Sequence, residues 1–285
     1  MLVRGYEAAG LHTLPSSTMD DPATYPKHNR STVRRLRDRA KYDFATVHAI
    51  FNAASIVHVS FLPTDLTTDP FPTILPMLGA MGSFANPTAD PATEPLDCYI
   101  HGHTSSRLMK LPGSNLTEDY PEGLPVCVAA TLLDGIKLAL TPFKHSCNYR
   151  SAVLHGYANL VMDEDEKNWA MHRITDGVVA NRWDNSRVPP TKAESQSTSV
   201  LRITIVSASA KVNTGSVGDD RNDLQNDEVT AKVWTGVLPV WEHIGPPIES
   251  KTNKVEQLPD YLSGWMEEQN TSRKEYALKV ASEKI

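Results

Sequence analysis

Apolar residues change their spacing several times along the chain, and each change marks a predicted element. Residues 1–30 carry Pro15, Pro22 and Pro26 among Ser, Thr and Asp with no apolar period, so a surface arm or an unordered segment is expected. Val33, Leu36 and Ala40 then sit at helical spacing inside a basic run of Lys27, Arg30, Arg34, Arg35, Arg37, Arg39 and Lys41, predicting a short amphipathic helix. Asp43 is placed to cap a second helix, whose Phe44, Val47 and Phe51 share one face. From Ala54 the period falls to two. Ile56, His58 and Ser60 alternate with Val57, Val59 and Phe61, the pattern of a strand. Pro72 and Pro76 confine the extended stretch Pro72–Leu78 to a sheet end or edge. A Pro- and Ala-rich loop follows over 82–95, then a strand over Leu96–Ile100. His101–Lys110 reads as a strand end, a polar turn and a helix start.

Two apolar runs, Val126–Leu132 and Ile136–Leu140, flank Asp134-Gly135 and predict a hairpin. Tyr149–Met162 reads as a long strand in which Gly156 marks a bulge or a close approach. Asp163–Lys167 opens a helix with acid at its positive end, and Thr191–Glu194 has capping-box spacing. Val200–Val206 and Val229–Trp234 are expected as late strands. Residues 245–285 are polar, with one helical pattern around Tyr261–Gln269. About seven strands joined as hairpins rather than βαβ units predict a mainly β barrel or sandwich with helices packed outside. The expected division is an arm and basic helix (1–42), the barrel (43–244) and a peripheral segment (245–285).

Composition narrows the function classes. A charged fraction of 22% in 285 residues excludes a highly charged disordered chain. The net charge of −6 argues against general nucleic-acid binding, so the basic run reads as a solvated face. No run of 18 apolar residues is present, and no membrane association is expected. The first residues lack the apolar stretch of a signal peptide, and Cys98, Cys127 and Cys147 form no C-x-x-C pair. Reduced thiols and a cytoplasmic location are the expectation. Dinucleotide and Walker glycine loops, G-x-S-x-G, H-E-x-x-H and cysteine zinc patterns are all absent.

Two polar clusters carry the candidate chemistry. In the first, His101, Gly102, Ser105, Ser106, Arg107 and Lys110 lie where a strand hands over to a helix. It is either a capped helix with solvated cations or an anion site built from hydroxyls and a guanidinium. In the second, Ser146, Asn148, Arg150 and Ser151 put many donors and no neighbouring acid before an apolar strand. This is either a loop bonded to itself or a seat for an electron-rich ligand. His101, His103, His145 and His155 can ligate metal or haem, but no carboxylate accompanies the H-x-H pair. Structural or ligand-lining roles are expected, with no metal site.

From His48 to Pro239 the chain resembles the flavin-nucleotide-binding branch of the pyridoxamine 5′-phosphate oxidase-like superfamily, which includes the nitroimidazole-resistance proteins. The matching pieces, in order, include AIFNAASIVHVSF, PTILPM, YIHGHTSSRLMKL, PVCVAATLLDGIKLA, HSCNYRSAVLHGYA, DEDEKNWAM, SASAKVNTG and VWTGVLP. The resemblance implies an antiparallel, Greek-key-like, FMN-binding split β-barrel, with a homodimer carrying flavin at its interface. Ser106 and Arg107, with Ser105 and Lys110 beside them, would then hold the FMN phosphate. His101 and Gly102 would lie by the ribityl chain or ring, and Ile74, Leu75, Pro76 and Met77 would line the ring. Ser146, Asn148, Arg150 and Ser151 would add polar contacts, and Trp234 would close the site. Leu108 stands where pyridoxamine 5′-phosphate oxidases have lysine, and their substrate-phosphate arginines have no clear match, which argues against vitamin B6 oxidation. Asn213 stands where the relatives usually have arginine.

The expected function is an FMN-dependent oxidoreductase acting on a small organic molecule, with His101, His103 or His145 as candidate proton carriers. Two alternatives stand beside it: a non-catalytic flavin-binding protein, and a haem-binding or haem-degrading split barrel.

Overall fold

The computed structural model describes residues 23–63, 65, 67–113 and 120–283. The expected N-terminal arm therefore lies outside the described residues as far as residue 22. The first described element is β1 (Ala40–Lys41), preceded by a single 3-10 turn at Arg37–Arg39 where an amphipathic helix is predicted. Leu36 breaks that helix by taking a left-handed backbone, φ 55°. Five like charges crowded between Arg30 and Arg39 gain nothing from helical spacing.

Helix α1 (Phe44–Ala53) forms as expected. Asp43 Oδ1 accepts the Thr46 N–H at 2.8 Å, and Phe44, Val47, Ile50 and Phe51 are buried. Strands β2 (Val57–Phe61), β3 (Thr73–Met77), β4 (Gly79–Gly82) and β5 (Asp97–His103) follow. Among the described residues β3 pairs only with β2, so the Pro76 ring occupies a sheet edge where no ladder donor is needed. After β5 come the one-turn α2 (Arg107–Lys110), β6 (Leu124–Leu138), β7 (Ser146–Leu160), α3 (Glu164–Val178), α4 (Lys192–Ser197) and β8 (Thr198–Asn213). The chain closes with α5 (Arg221–Leu224), α6 (Asp227–Thr230), β9 (Gly236–Pro239) and α7 (Asp260–Ser282). Among the described residues these nine strands form one antiparallel sheet in the order β3-β2-β6-β7-β8-β5-β4, with β1 on β8 and β9 on β6. The pairings β2–β6 and β5–β8 join strands distant in sequence and give the Greek-key character. The architecture is mainly β with flanking helices, as the patterning predicts.

Asp134-Gly135 is not a hairpin turn. β6 runs straight through it with a bulge between Leu133 and Gly135, and the chain reverses instead over residues 139–145. Asp134 is buried and bonded by Arg150 across the ladder, which holds it inside a strand rather than at an exposed turn. Val229–Trp234 is likewise not a strand: Asn226 caps the short α6 there, and β9 begins at Gly236. The C-terminal helical pattern extends to 23 residues in α7, which packs on β6 and β9 and buries Ala277 and Val280.

Two apolar clusters fill the interior. α1 covers one together with inward residues such as Val59, Val128, Leu154 and Ile203. α3 covers the other, setting Ala170 and Ile174 against Tyr99 and Val200. The outward residues of β2, β6, β7 and β8 form a separate face. Its central row places Ile74, Ser60, Cys127, His155 and Ser207 opposite one another across five strands. The bulge expected at Gly156 is present, between His155 and Gly156. A Cβ at Gly156 would collide with the backbone oxygen of Thr204, which no side-chain motion can relieve. Gly156→Ala is expected to destabilise the fold by about 1–3 kcal/mol. The urea midpoint at unchanged m-value checks this, and a midpoint equal to wild type would refute the close-approach argument.

Candidate functional site

β5, β3 and α2 bring the first polar cluster together. β5 ends at His103, and a tight turn closed by the Ser106 N–H on the His103 carbonyl, 2.9 Å, leads into α2. Gly102 lies against two methionines: a Cβ there would approach Met109 Cε to 2.9 Å and Met77 Cε to 3.6 Å. The β3 residues Ile74, Leu75, Pro76 and Met77 thus flank the end of β5, with Ile74 60% exposed. α2 spans four residues, so the helix dipole predicted for this junction is small and the donors that matter are side chains. Ser106 caps nothing with its hydroxyl. The Arg107 guanidinium is half-exposed over the Phe61 ring, and its nearest carboxylate, Asp69, is 4.0 Å away. Lys110 is exposed one turn on. Ser105 is engaged locally: its hydroxyl lies 2.7 Å from His103 Nδ1 and its N–H donates to the same nitrogen at 3.1 Å.

The three candidate proton carriers differ in the same way. His145 Nδ1 accepts the Ala139 N–H at 3.2 Å, so His145 and His103 both serve turns at the surface. His101 is half-buried, its Nδ1 has no hydrogen-bond partner, and burial lowers its pKa below the ordinary histidine value. The imidazole is therefore neutral at pH 7 with a ring nitrogen uncommitted.

The second cluster is committed to the protein. Its donors do have an acidic partner, contrary to the reading from local sequence, because Asp134 arrives from the neighbouring strand. Arg150 Nη2 and Nε donate to the two Asp134 carboxylate oxygens at 2.7 and 3.0 Å, and the guanidinium lies 3.8 Å from the Tyr276 ring centre. Asn148 is fully buried and donates to the Gly215 carbonyl at 3.1 Å, leaving only its Oδ1 unpaired. Ser151 donates to the Lys211 carbonyl, and Ser146 is exposed. Trp234 is 63% exposed and packs over Gly236 at the same end of β6.

The clusters stand at opposite ends of β8. His101 pairs with Val200 and Arg150 with Val212, twelve positions or roughly 40 Å along the strand. Sequence patterning missed Asp134 as a site residue because its Gly neighbour imitates a turn. It also missed Tyr276, which reaches the site only through tertiary packing. Together with Arg150, Trp241, Glu242 and Arg273 these two line a cavity of about 740 Å³ beneath α7.

Residues 43–212 match the family model described as pyridoxamine 5′-phosphate oxidase. Among solved structures, the chain is 28% identical to the flavocytochrome Anf3 from Azotobacter vinelandii, with a TM-score of 0.65 over 84% of this chain and 97% of that one. It is 24% identical to the FAD and haem binding protein from Mycobacterium smegmatis, with a TM-score of 0.63 over 80% of this chain and 97% of that one. At that identity the second shows the shared fold. No curated protein matches the chain.

Arg150→Ala strands the buried Asp134 carboxylate. A loss of roughly 2–3 kcal/mol is expected, below the figure for full burial because Arg150 is 23% exposed. Asp134→Ala combined with Arg150→Ala should recover part of it in a denaturation cycle; a double variant no better than Arg150→Ala would refute this. The half-buried or buried imidazoles of His48, His101 and His155 all have lowered pKa values, chiefly through burial. On acidification the unfolded chain takes up protons near pH 6.5 before the folded one does, so stability is full above that pH and falls below it. Urea unfolding from pH 8 to pH 5.5 checks the sign; constant or rising stability would contradict it.

Proposed function

The chain belongs to the pyridoxamine 5′-phosphate oxidase-like family, and on that premise we propose that it is an FMN-binding oxidoreductase acting on a small organic substrate. The observation that carries this reading is the contrast between the two clusters. Beside Gly102, which lies against Met109 and Met77, the Ser106 hydroxyl caps nothing, His101 Nδ1 is unpaired and Arg107 has only a long, half-exposed contact to Asp69, whereas Arg150 and Ser151 are held by the fold. A dianionic phosphate suits Ser106, Arg107 and Lys110, and the flat face of a flavin suits Ile74–Met77 beside Gly102. His101, neutral and half-buried, offers Nδ1 to a polar edge of the ring. Bound flavin supplies one- and two-electron transfer; the chain's own residues orient it and limit water. Leu108, fully buried, stands where vitamin B6 oxidases carry lysine, so no pyridoxamine activity is proposed.

A flavin at the first cluster meets Asn148, Arg150 and Trp234 only if they come from a second copy, given their distance along β8. Leu133, Ile136, Trp234 and Leu238 leave an apolar patch exposed at that end, and it suits the partner in a homodimer. The similarity to Anf3, described as a flavocytochrome, supports a second reading in which haem accompanies the flavin.

FMN titration of the flavin-stripped protein tests the site, with any released cofactor identified by mass. Arg107→Ala is expected to weaken FMN binding roughly tenfold or more, the ~1.5–3 kcal/mol of a charged hydrogen bond. Lys27→Ala, whose ammonium lies over the Tyr42 ring, should leave it unchanged. Equal affinity of wild type and Arg107→Ala at matched salt would remove Arg107 from the phosphate site.

A further inference from the structure

Four parts of the chain wall the cavity beneath α7: α1, β6, the segment after β9 and α7 itself. α1 supplies Ala49 and Ala53, one helical turn apart and both exposed, so that wall is flat and carries only methyl groups. Trp241 and Tyr276, both partly exposed, bring aromatic rings to the same space. Its volume of about 740 Å³ is that of a small-molecule site.

The polar groups around this space are unevenly spent. Asp134 takes two hydrogen bonds from Arg150, and Glu242 Oε2 takes one from Ser55 and one from Arg273. These two carboxylates and two guanidiniums are the charged groups of the lining, so its formal charge balances. The donors are not exhausted. Among the described residues Arg150 donates only through Nε and Nη2, and Arg273 only through Nη1, which leaves N–H groups over on both. The Trp241 indole N–H and the Tyr276 hydroxyl bond to no described residue.

We propose that this cavity binds an uncharged planar aromatic ring with carbonyl oxygens on its edge, a compound of the quinone class. The methyl wall of α1 and the two aromatic side chains suit the faces of such a ring. Its carbonyls accept from the spare N–H groups of Arg273 and Arg150, and from Trp241 and Tyr276. An anion gains little from guanidiniums that carboxylates already neutralise, and a cation meets carboxylates that arginines already hold. The same balance separates this ligand from the phosphate-bearing flavin proposed for the other end of β8, and the site does not rest on that reading.

Equilibrium dialysis of the purified full chain against 2,3-dimethyl-1,4-naphthoquinone tests the assignment. Both quinone positions that thiols attack are methylated in this probe, so the cysteines do not capture it. Wild type should bind a single molecule per chain, roughly tenfold or more tightly than 2,3-dimethylnaphthalene, which lacks carbonyls, or 2-naphthoate, which is charged. Arg273→Ala should weaken the quinone roughly tenfold, and Ala49→Trp, which fills the cavity, should abolish binding. Ala53→Trp fills the same space as a second variant, and a urea midpoint equal to wild type reports that each variant is folded. Saturating FMN should leave the quinone bound. No binding by wild type overturns the proposal, as do equal affinity for the hydrocarbon or the naphthoate, full affinity in Arg273→Ala or in a folded cavity-filling variant, and displacement by FMN. Wild type that binds the quinone and no FMN leaves this site standing and removes the flavin reading.

Discussion

The buried pair between Asp134 and Arg150 fixes how the long strands meet. An ionised carboxylate that is 6% exposed can stay in a sheet only if an opposite charge meets it with good geometry, and Arg150 does so with two hydrogen bonds. Holding Asp134 there turns the strongest hairpin signal in the chain into a bulge. β6 then continues to Leu138, long enough for β9 to pair with its last four residues. Arg150 in turn offers the face of its guanidinium to Tyr276, so the same pair anchors α7 over the cavity. Further contacts secure the helix: Arg273 meets Glu242, and Asn270 bonds both backbone groups of Ile244.

That arrangement separates two kinds of polarity. At the Asp134 end Arg150 is bonded to Asp134, and Asn148 and Ser151 donate to backbone carbonyls, with Asn148 Oδ1 left unpaired. At the His101 end the His101 Nδ1 also lies buried without a partner, at a cost of about 1–3 kcal/mol. A fold that satisfies Arg150 twice over could satisfy His101 with one hydroxyl, and does not. The unpaired His101 Nδ1 is stability given up, and the ligand proposed for this end would supply the missing bond.

Much of this was legible in the sequence, and the failures have local causes. Asp43, Asp163 and the Thr191–Glu194 capping box mark helix starts because capping depends on residues within one turn. Gly156 was readable as a bulge because only a residue without Cβ tolerates the Thr204 carbonyl. The Ser106–Arg107 junction was readable as a place rich in donors. The partners were not, because Asp134 and Tyr276 reach Arg150 from other parts of the fold. Leu36 defeats the predicted basic helix through a left-handed backbone that apolar spacing does not encode. β4 escaped notice because Gly79–Gly82 has too few side chains to show a period.

The separation of the clusters along β8 limits what a single chain can do. A ligand the size of a flavin cannot span some 40 Å of strand. Either the Asn148–Ser151 cluster has no part in binding, or it serves a ligand held by another copy. The apolar side chains exposed around it, Leu133, Ile136, Trp234 and Leu238, favour the second alternative, since an isolated monomer gains nothing by presenting them to water. On that view Arg150 needs its internal carboxylate: an arginine facing a subunit interface without one would carry an unbalanced charge into the contact. Paired with Asp134, it presents a neutral group whose hydrogen-bonding edge is already fixed, while Arg107 at the other end is the cation proposed for an anionic ligand.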